Sequence, residues 1–398
     1  MTGDERNMKI VIAPDSFKES LSAAEVCRAI EVGFKEIFPQ SEYIHVPMAD
    51  GGEGTVESIV AATEGYIKYI TVKGPLGKPT KAFYGISGNH KLAVIEMATS
   101  SGLDLVPESL RNPLKTTTWG FGELITDALG EGVEELILGI GGSATNDGGI
   151  GMAMSLGVKL LDDQGELIEP TGEGIEKLAS IDLSGLNANL KKVKVRVACD
   201  VNNPLTGPNG ASYIYGAQKG GTKEQIKILD RNLKHLAEVI RKDLNLDVEY
   251  ISGAGAAGGL GAGLHAFLNA TLEEGGKIIV DILNLAGKME GADLVITGEG
   301  GINHQTIFGK TPITVSRVAK EKNIPVIALS GIISAGHEGI FEEGIDAVFS
   351  VLPRVSSKEE ALSEGYENIK NTARNIAAVL NIKATVKKSL NKFLVKGG

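Results

Sequence analysis

The chain has 398 residues, a formal net charge of −10, and a composition 42% hydrophobic, 23% charged and 5% aromatic. That length exceeds one small core and implies two domains, while an acidic balance without a basic cluster argues against nucleic acid and anionic membrane as partners. The two cysteines, Cys27 and Cys199, cannot build a disulfide framework. With no apolar run of membrane-spanning length and no signal peptide, the chain reads as a soluble cytoplasmic α/β protein.

In chain order, the polar "MTGDERN" reads as a leader or frayed terminus ahead of "MKIVIA". "KIVIA" (9–13) is a buried strand by its length and β-branching. A helix over 22–38 follows, with Ser22 and Glu25 spaced as a capping box. "EYIHVPM" (42–48) is a second strand, and another helix starts near Thr55. From about 74 to 285 the pattern is less regular. Strands are expected there near 91–96, 134–140, 158–162 and 193–199, with helices over 116–129 and 223–242. Crisp βα units then return: "DLVIT" (293–297) with a helix at 312–322, "PVIAL" (325–329) with one near 337–342, and "AVFSVL" (347–352) with one over 357–379.

Strand after strand ends in a loop rich in Gly, Asp and Ser: "PDSFKES", "DGGEGT", "GGSATNDGG", "CDVNNPLTG" and "GEGGINHQT". Open α/β sheets bind ligands beyond the carboxyl ends of their strands, so five such loops point to one shared cleft. Glycine and aspartate also serve as ordinary caps and turns, which explains any one loop more easily than all five. Glycine totals 52 residues, roughly twice the usual share of about 7%.

Two phosphate motifs nearly match. "TGEGGINHQTIFGKTP" (297–312) ends on Gly309-Lys310-Thr311, but five residues before Gly309 stands His304 where a Walker A loop needs glycine. Pro312 suits the first turn of a helix, so helix N–H groups still face this loop's end. "GAGAAG" (253–258) matches G-x-G-x-x-G, but it lies in the irregular middle and resembles a close-packed helix start more than a Rossmann turn.

Phosphoryl transfer needs magnesium on one or two carboxylates, a cation on the phosphates and a group to steer the hydroxyl. Asp50 and Glu53, flanking Gly51 and Gly52, suit a magnesium or hydroxyl role. Asp200 ends the strand "VRVACD", and Asp147 has Ser143 and Thr145 nearby as donors. Lys18 follows Asp15 and Ser16 just past the first strand, and Lys219 and Lys310 are further cations. Any one of these acids more often caps a turn, and any one lysine more often solvates a surface; the chemical reading rests on their co-location. The six histidines have no metal-ligand spacing, His304 reads as a supporting residue, and no G-x-S-x-G elbow is present. Cys199 reads as buried and inert, and Trp119 as packed.

Taken as a set, "KIVIAPDSFKESLSA", "MADGGEGT", "GIGGSATNDGG", "ACDVNNPLTGPNGA", "GAGAAGGLG" and "TGEG…QT…GK.P" occur in that order. The series closely resembles the type-1 glycerate kinase family from about residue 8 to 380. The resemblance implies phosphorylation of D-glycerate with ATP and Mg2+, mostly to 2-phosphoglycerate in bacterial members. It also implies a flavodoxin- or Rossmann-like parallel-sheet domain over 1–74 and 286–398, a mixed α/β domain inserted at 75–285, and a site in the cleft between them. Lys18, Asp50, Asp147 and Asp200 occupy the family's motif positions. The expected catalytic set is Lys18, Asp50, Asp200 and Asn303, with metal on Asp50 and Asp200. Ser16, Gly51, Gly52, Glu53, Ser143, Asp147, Lys219, Glu299, Gln305 and Lys310 are expected to hold substrate or phosphate.

One departure qualifies the resemblance. Where the family reads G-E-G-R-x-D-x-Q-[ST], this chain has Gly301 for the Arg and Asn303 for the Asp. Losing the Arg removes a bidentate clamp, and Asn keeps the shape of Asp but takes no proton and neutralises no metal. A weakened or re-specialised kinase is therefore expected. Two other readings stay open: a non-catalytic sensor of glycerate or nucleotide, and an NAD-dependent oxidoreductase using Gly253–Gly258. Self-association into a homo-oligomer is also left open.

Overall fold

The computed structural model describes residues 7–49, 54–304, 306–307 and 310–395, with side chains to residue 382. The described strands are β1 Lys9–Ile12, β2 Glu42–His45, β3 Tyr66–Lys73, β4 Pro79–Ile86, β5 Leu92–Glu96, β6 Glu135–Gly139, β7 Lys159–Leu161, β8 Ser180–Asp182, β9 Lys194–Ala198, β10 Thr271–Glu273, β11 Leu294–Ile302, β12 Val326–Ile333 and β13 Ala347–Ser350. They fall into two compact units. The first comprises Met1–Asp50 with Ile279–Gly398, and the second Gly51–Ile278.

The first unit is built on a five-stranded sheet of order β13-β12-β11-β1-β2, parallel throughout. Its strands are short apolar runs, as a sheet covered on both faces requires. Helix Ala23–Lys35 begins at the expected capping box, with Ser22 accepting from the Glu25 N–H and the Glu25 side chain returning to Ser22. Its buried face, Val26, Ile30 and Phe34, joins Ile10, Ile12, Leu294 and Ile296 from the sheet and Ile369, Ala373 and Ile376 from helix Gly365–Val395. Each such side chain stabilises the fold by about 1.5–3 kcal/mol when fully buried. Gly33 lets the two helices approach: a Cβ there would lie 2.2 Å from the Lys370 carbonyl oxygen.

The second unit carries a six-stranded mixed sheet of order β10-β9-β6-β5-β4-β3, plus the β7–β8 pair. β5, β6, β9 and β10 run parallel; β3 and β4 are antiparallel additions. β3 and β4 went unread in the sequence because their solvent-side residues dilute the apolar signal: along "YIKYITVK" β3 mixes exposed and half-buried positions and fully buries only Val72. β3 pairs along its whole length with β4, so 66–73 belongs to this sheet, whereas the sequence reading placed the boundary after residue 74. The core holds Tyr84, Ile95, Phe121, Leu136, Leu138 and Leu260 among others.

Several elements differ from expectation. β11 does not stop at Thr297 but runs to Ile302, because β12 likewise runs past its expected end at 329, to Ile333, and pairs with it as far as Gly301↔Ile332 and Ile302↔Ile333. The C-terminal helix is two helices, Lys358–Ser363 and Gly365–Val395. β2 ends at His45, three residues early.

Candidate functional sites

In the first unit the strand order reverses between β1 and β11: β2 lies on one side, β12 and β13 on the other. Parallel sheets open a crevice at such a point beyond the strand carboxyl ends. Here the chain leaving β1 stays against β11, with the Asp15 N–H donating to the Gly298 carbonyl at 2.8 Å. Gly300 has no side chain where the Lys18 backbone passes; a Cβ there would be 3.4 Å from the Lys18 nitrogen. Ser16 and Lys18 are thereby held beside Glu299.

Asp15 fastens this loop to the start of helix Thr311–Glu321. Its Oδ2 accepts from the Thr311 hydroxyl at 2.9 Å, and its Oδ1 accepts from the Ser16 N–H at 2.6 Å. Glu299, 8% exposed, accepts from the Thr306 hydroxyl at 2.7 Å and pairs with the Lys310 ammonium at 3.4 Å. Asn303 sits in the turn closing β11: its N–H donates to Thr306 Oγ1 at 3.1 Å, and the Thr306 N–H returns to its carbonyl at 3.0 Å. Lys18 is exposed and makes no hydrogen bond or ion pair with the described residues. Ser16, Lys18, Glu299, Gly301 and Lys310 all line one pocket of about 450 Å³. A cation without a partner beside an acid–lysine pair suits an anionic group such as a phosphate.

In the second unit the carboxyl ends of β5, β6 and β9 lie side by side. Glu96, at the end of β5 and 6% exposed, accepts from the Val56 N–H at 3.0 Å in the first turn of helix Thr55–Ala62. After β6, Ser143 bridges to Gly102. Lys219 is not a surface cation: it is 2% exposed, and its ammonium donates to Ser143 Oγ and the Thr145 carbonyl, both at 2.6 Å. Burial pushes the Lys219 ammonium down to about 7, against a small upward pull from Asp147.

Asp147 is fully buried, and its carboxylate accepts from the Thr118 N–H and hydroxyl, both at 2.8 Å, and from the N–H groups of Gly149 and Gly151. Burial raises its carboxyl above the usual range while these donors lower it. Its place is inside the loop, ordering it. Thr145 Oγ1 and Asn146 Oδ1 are buried with no hydrogen-bond partner among the described residues, and Asn146 Nδ2 donates to Ser212 at 3.1 Å. After β9, Asp200 is exposed, and its Oδ1 accepts from the Gly275 N–H at 2.9 Å, at the start of helix Gly275–Ile282.

The glycines 253–258 open helix Ala256–Leu268, where Ala257, Gly258 and Gly259 are left-handed. A Cβ at Gly258 would lie 2.0 Å from the Thr145 carbonyl, and no strand leads into the segment. Their work is to pack a helix start under the 143–149 loop, which removes the structural context a dinucleotide motif needs. Cys199 is half-buried rather than buried, with its thiol raised by desolvation. Trp119 packs as expected, with the Lys73 ammonium 4.0 Å from its ring centroid.

Asp50, Gly51, Gly52, Glu53 and Gln305 lie outside the described residues. Among those described, no three His, Cys, Asp or Glu side chains gather to hold a metal, and no helix is long and apolar enough to cross a membrane. Magnesium ordinarily takes one or two carboxylates and leaves its other positions to water and phosphate oxygens, so a single exposed carboxylate such as Asp200 fits its needs. Glu96 and Thr118 escaped the sequence reading, and Asp15 and Thr311 entered it only as neighbours of Lys18 and Lys310. For Glu96 the available signal was an acid at the end of the apolar run "AVIE"; for Asp15, its place in the first strand-end loop.

Comparison with known proteins agrees over nearly the whole chain. A family profile described as the glycerate kinase family matches residues 10–381. Glycerate kinase of Halalkalibacterium halodurans is 54% identical over 370 residues, covering 93% of this chain and 97% of that protein. Glycerate 2-kinase of Escherichia coli K12 is 54% identical over 375 residues, covering 94% and 98%. The crystal structure of a candidate glycerate kinase 2 from Salmonella typhimurium LT2 superposes with a TM-score of 0.90 at 54% identity, covering 96% of this chain and all of that one.

Proposed function

The chain belongs to the glycerate kinase family, and from that premise we propose that it transfers the γ-phosphoryl group of ATP, with Mg2+, to D-glycerate, giving 2-phosphoglycerate. The observation that carries this reading is the switch-point site of the first unit. There β1 and β11 bring Lys18, unpaired among the described residues, to the Glu299–Lys310 pair, the charge pattern that phosphates require.

In the reaction the glycerate hydroxyl oxygen bonds to the γ-phosphorus as the bond from phosphorus to the β–γ bridging oxygen breaks, and the hydroxyl proton leaves. Lys18 and Lys310 neutralise the phosphate oxygens. Glu299 orients Lys310, and Thr306 orients Glu299. Magnesium, when bound, spreads the charge that develops on the leaving phosphates; the carboxylates proposed for it are Asp200 and Asp50. Asn303 takes no proton, so the acceptor is one of these carboxylates or water. Lys219, with Ser143, and Asp147 shape the 143–149 loop from inside.

The test is ADP release on adding D-glycerate, ATP and magnesium, with the product identified by phosphorus NMR, for the chain as it stands and for Gly301→Arg/Asn303→Asp. A Cβ at Gly301 meets no atom within 4 Å, so the double variant is expected to fold. Glycerate-dependent ADP and 2-phosphoglycerate from the unsubstituted chain support the proposal. Binding of glycerate or ATP without turnover in either protein would overturn it in favour of a sensor.

A further inference from the structure

The switch-point pocket is larger than a three-carbon acid and a phosphate chain need, and its lining is part charged and part apolar. Its volume of about 450 Å³ lies in the range of roughly 300–1,000 Å³ that accepts molecules of drug size. Ser16, Lys18, Glu299 and Lys310 come from β1, β11 and the chain that follows each. The ends of β12 and β13 and helix Lys358–Ser363 bring an apolar wall of Ile332, Val351, Leu352, Ala361 and Leu362, with Lys358 at its rim already paired to Glu19 at 2.7 Å. Ile332 is 61% exposed, an apolar side chain left facing outward at the carboxyl end of β12. Gly300, Gly301 and Gly331 add bare backbone to the lining, which lets a flat group approach closely.

We propose that this apolar wall seats the base of the nucleotide, with its phosphates at Lys18 and Lys310. The inference rests on the kinase reading above and adds the location and orientation of the nucleotide within the first unit. The chemistry is complementary along the pocket: a planar apolar group between Ile332, Leu352 and Leu362, and anionic groups at the lysines. β11 produces this shape by running on to Ile302. Its extension lies alongside β12 at Gly301↔Ile332, so the residue without a side chain stands directly beside the apolar wall.

The test uses the full chain with two variants, Ile332→Glu and Ala361→Trp, one placing charge in the seat and one filling it. Both positions are only partly buried, and circular dichroism verifies folding. Calorimetry measures ATP and inorganic tripolyphosphate separately; steady-state kinetics gives KM for ATP and for D-glycerate. The expected result is ATP weakened about tenfold or more in both variants, with tripolyphosphate affinity and glycerate KM within about twofold of the parent. Unchanged ATP affinity overturns the proposal, as does parallel weakening of tripolyphosphate, or a rise in glycerate KM alone. Absence of turnover by the unsubstituted chain counts against the kinase reading only, because calorimetry still scores the seat through the difference between ATP and tripolyphosphate.

Discussion

Lys219 makes the stability of the second unit depend on pH in the alkaline range. Its ammonium is held at about 7 in the folded chain, well below the ordinary value of 10.5. At 1.36 kcal/mol per unit that is a penalty of about 5 kcal/mol for burying the charge, present in full at pH values below 7. A base whose folded value is depressed leaves the folded state with fewer bound protons than the unfolded state between the two values. Stability therefore rises with pH across roughly 7 to 10.5, and this contribution is lost as pH falls through 7. From pH 7.5 to 9.5 the gain is about 2–3 kcal/mol.

Lys219→Met removes the titrating group together with its two 2.6 Å bonds to Ser143 and Thr145. Parent and variant should thus differ by about 2–3 kcal/mol in how much stability they gain over that window, whatever their absolute stabilities. Urea unfolding followed by the fluorescence of Trp119 measures this, since the chain has one tryptophan and it lies in the same unit as Lys219. Asp147, the acid that acts on Lys219, keeps its four donors in both proteins. Parallel pH profiles for the two proteins would refute the argument, because they would mean that Lys219 does not change protonation on unfolding.

Gly33→Ala should destabilise the first unit by about 1–3 kcal/mol, because its Cβ would meet the Lys370 carbonyl at 2.2 Å; an unchanged thermal midpoint would contradict the packing. Thr145→Val replaces a buried hydroxyl that has no partner among the described residues, so stability should hold or rise by up to about 1 kcal/mol. A clear loss in urea unfolding would show that the hydroxyl is satisfied. Thr311→Val removes the donor to Asp15. It should cost about 1–3 kcal/mol and raise KM for ATP by loosening the loop that carries Lys18; an unchanged KM would separate that loop from nucleotide binding.

Much of this protein is local in origin, and so was open to reading from the chain. Ser22 and Glu25 lie three residues apart and cap a helix whatever surrounds them. "KIVIA" and "DLVI" are short apolar runs bounded by polar loops, which suit strands covered on both faces. His304 in place of a glycine excluded a Walker A loop by counting alone. The ordered loop series likewise identified the family without any coordinates.

Other features arise from residues far apart in sequence, and only the folded chain decides them. β11 runs on to Ile302 because β12, some thirty residues later, is there to pair with it. β3 and β4 form a sheet edge whose two-sided pattern dilutes the apolar signal. Lys219 and Asp147 look like any lysine and aspartate in a glycine loop. The surrounding fold buries both, turning an apparent phosphate cation and an apparent ligand into internal supports of that loop. Burial and register depend on neighbours brought from elsewhere in the chain, so a single linear stretch carries no record of them.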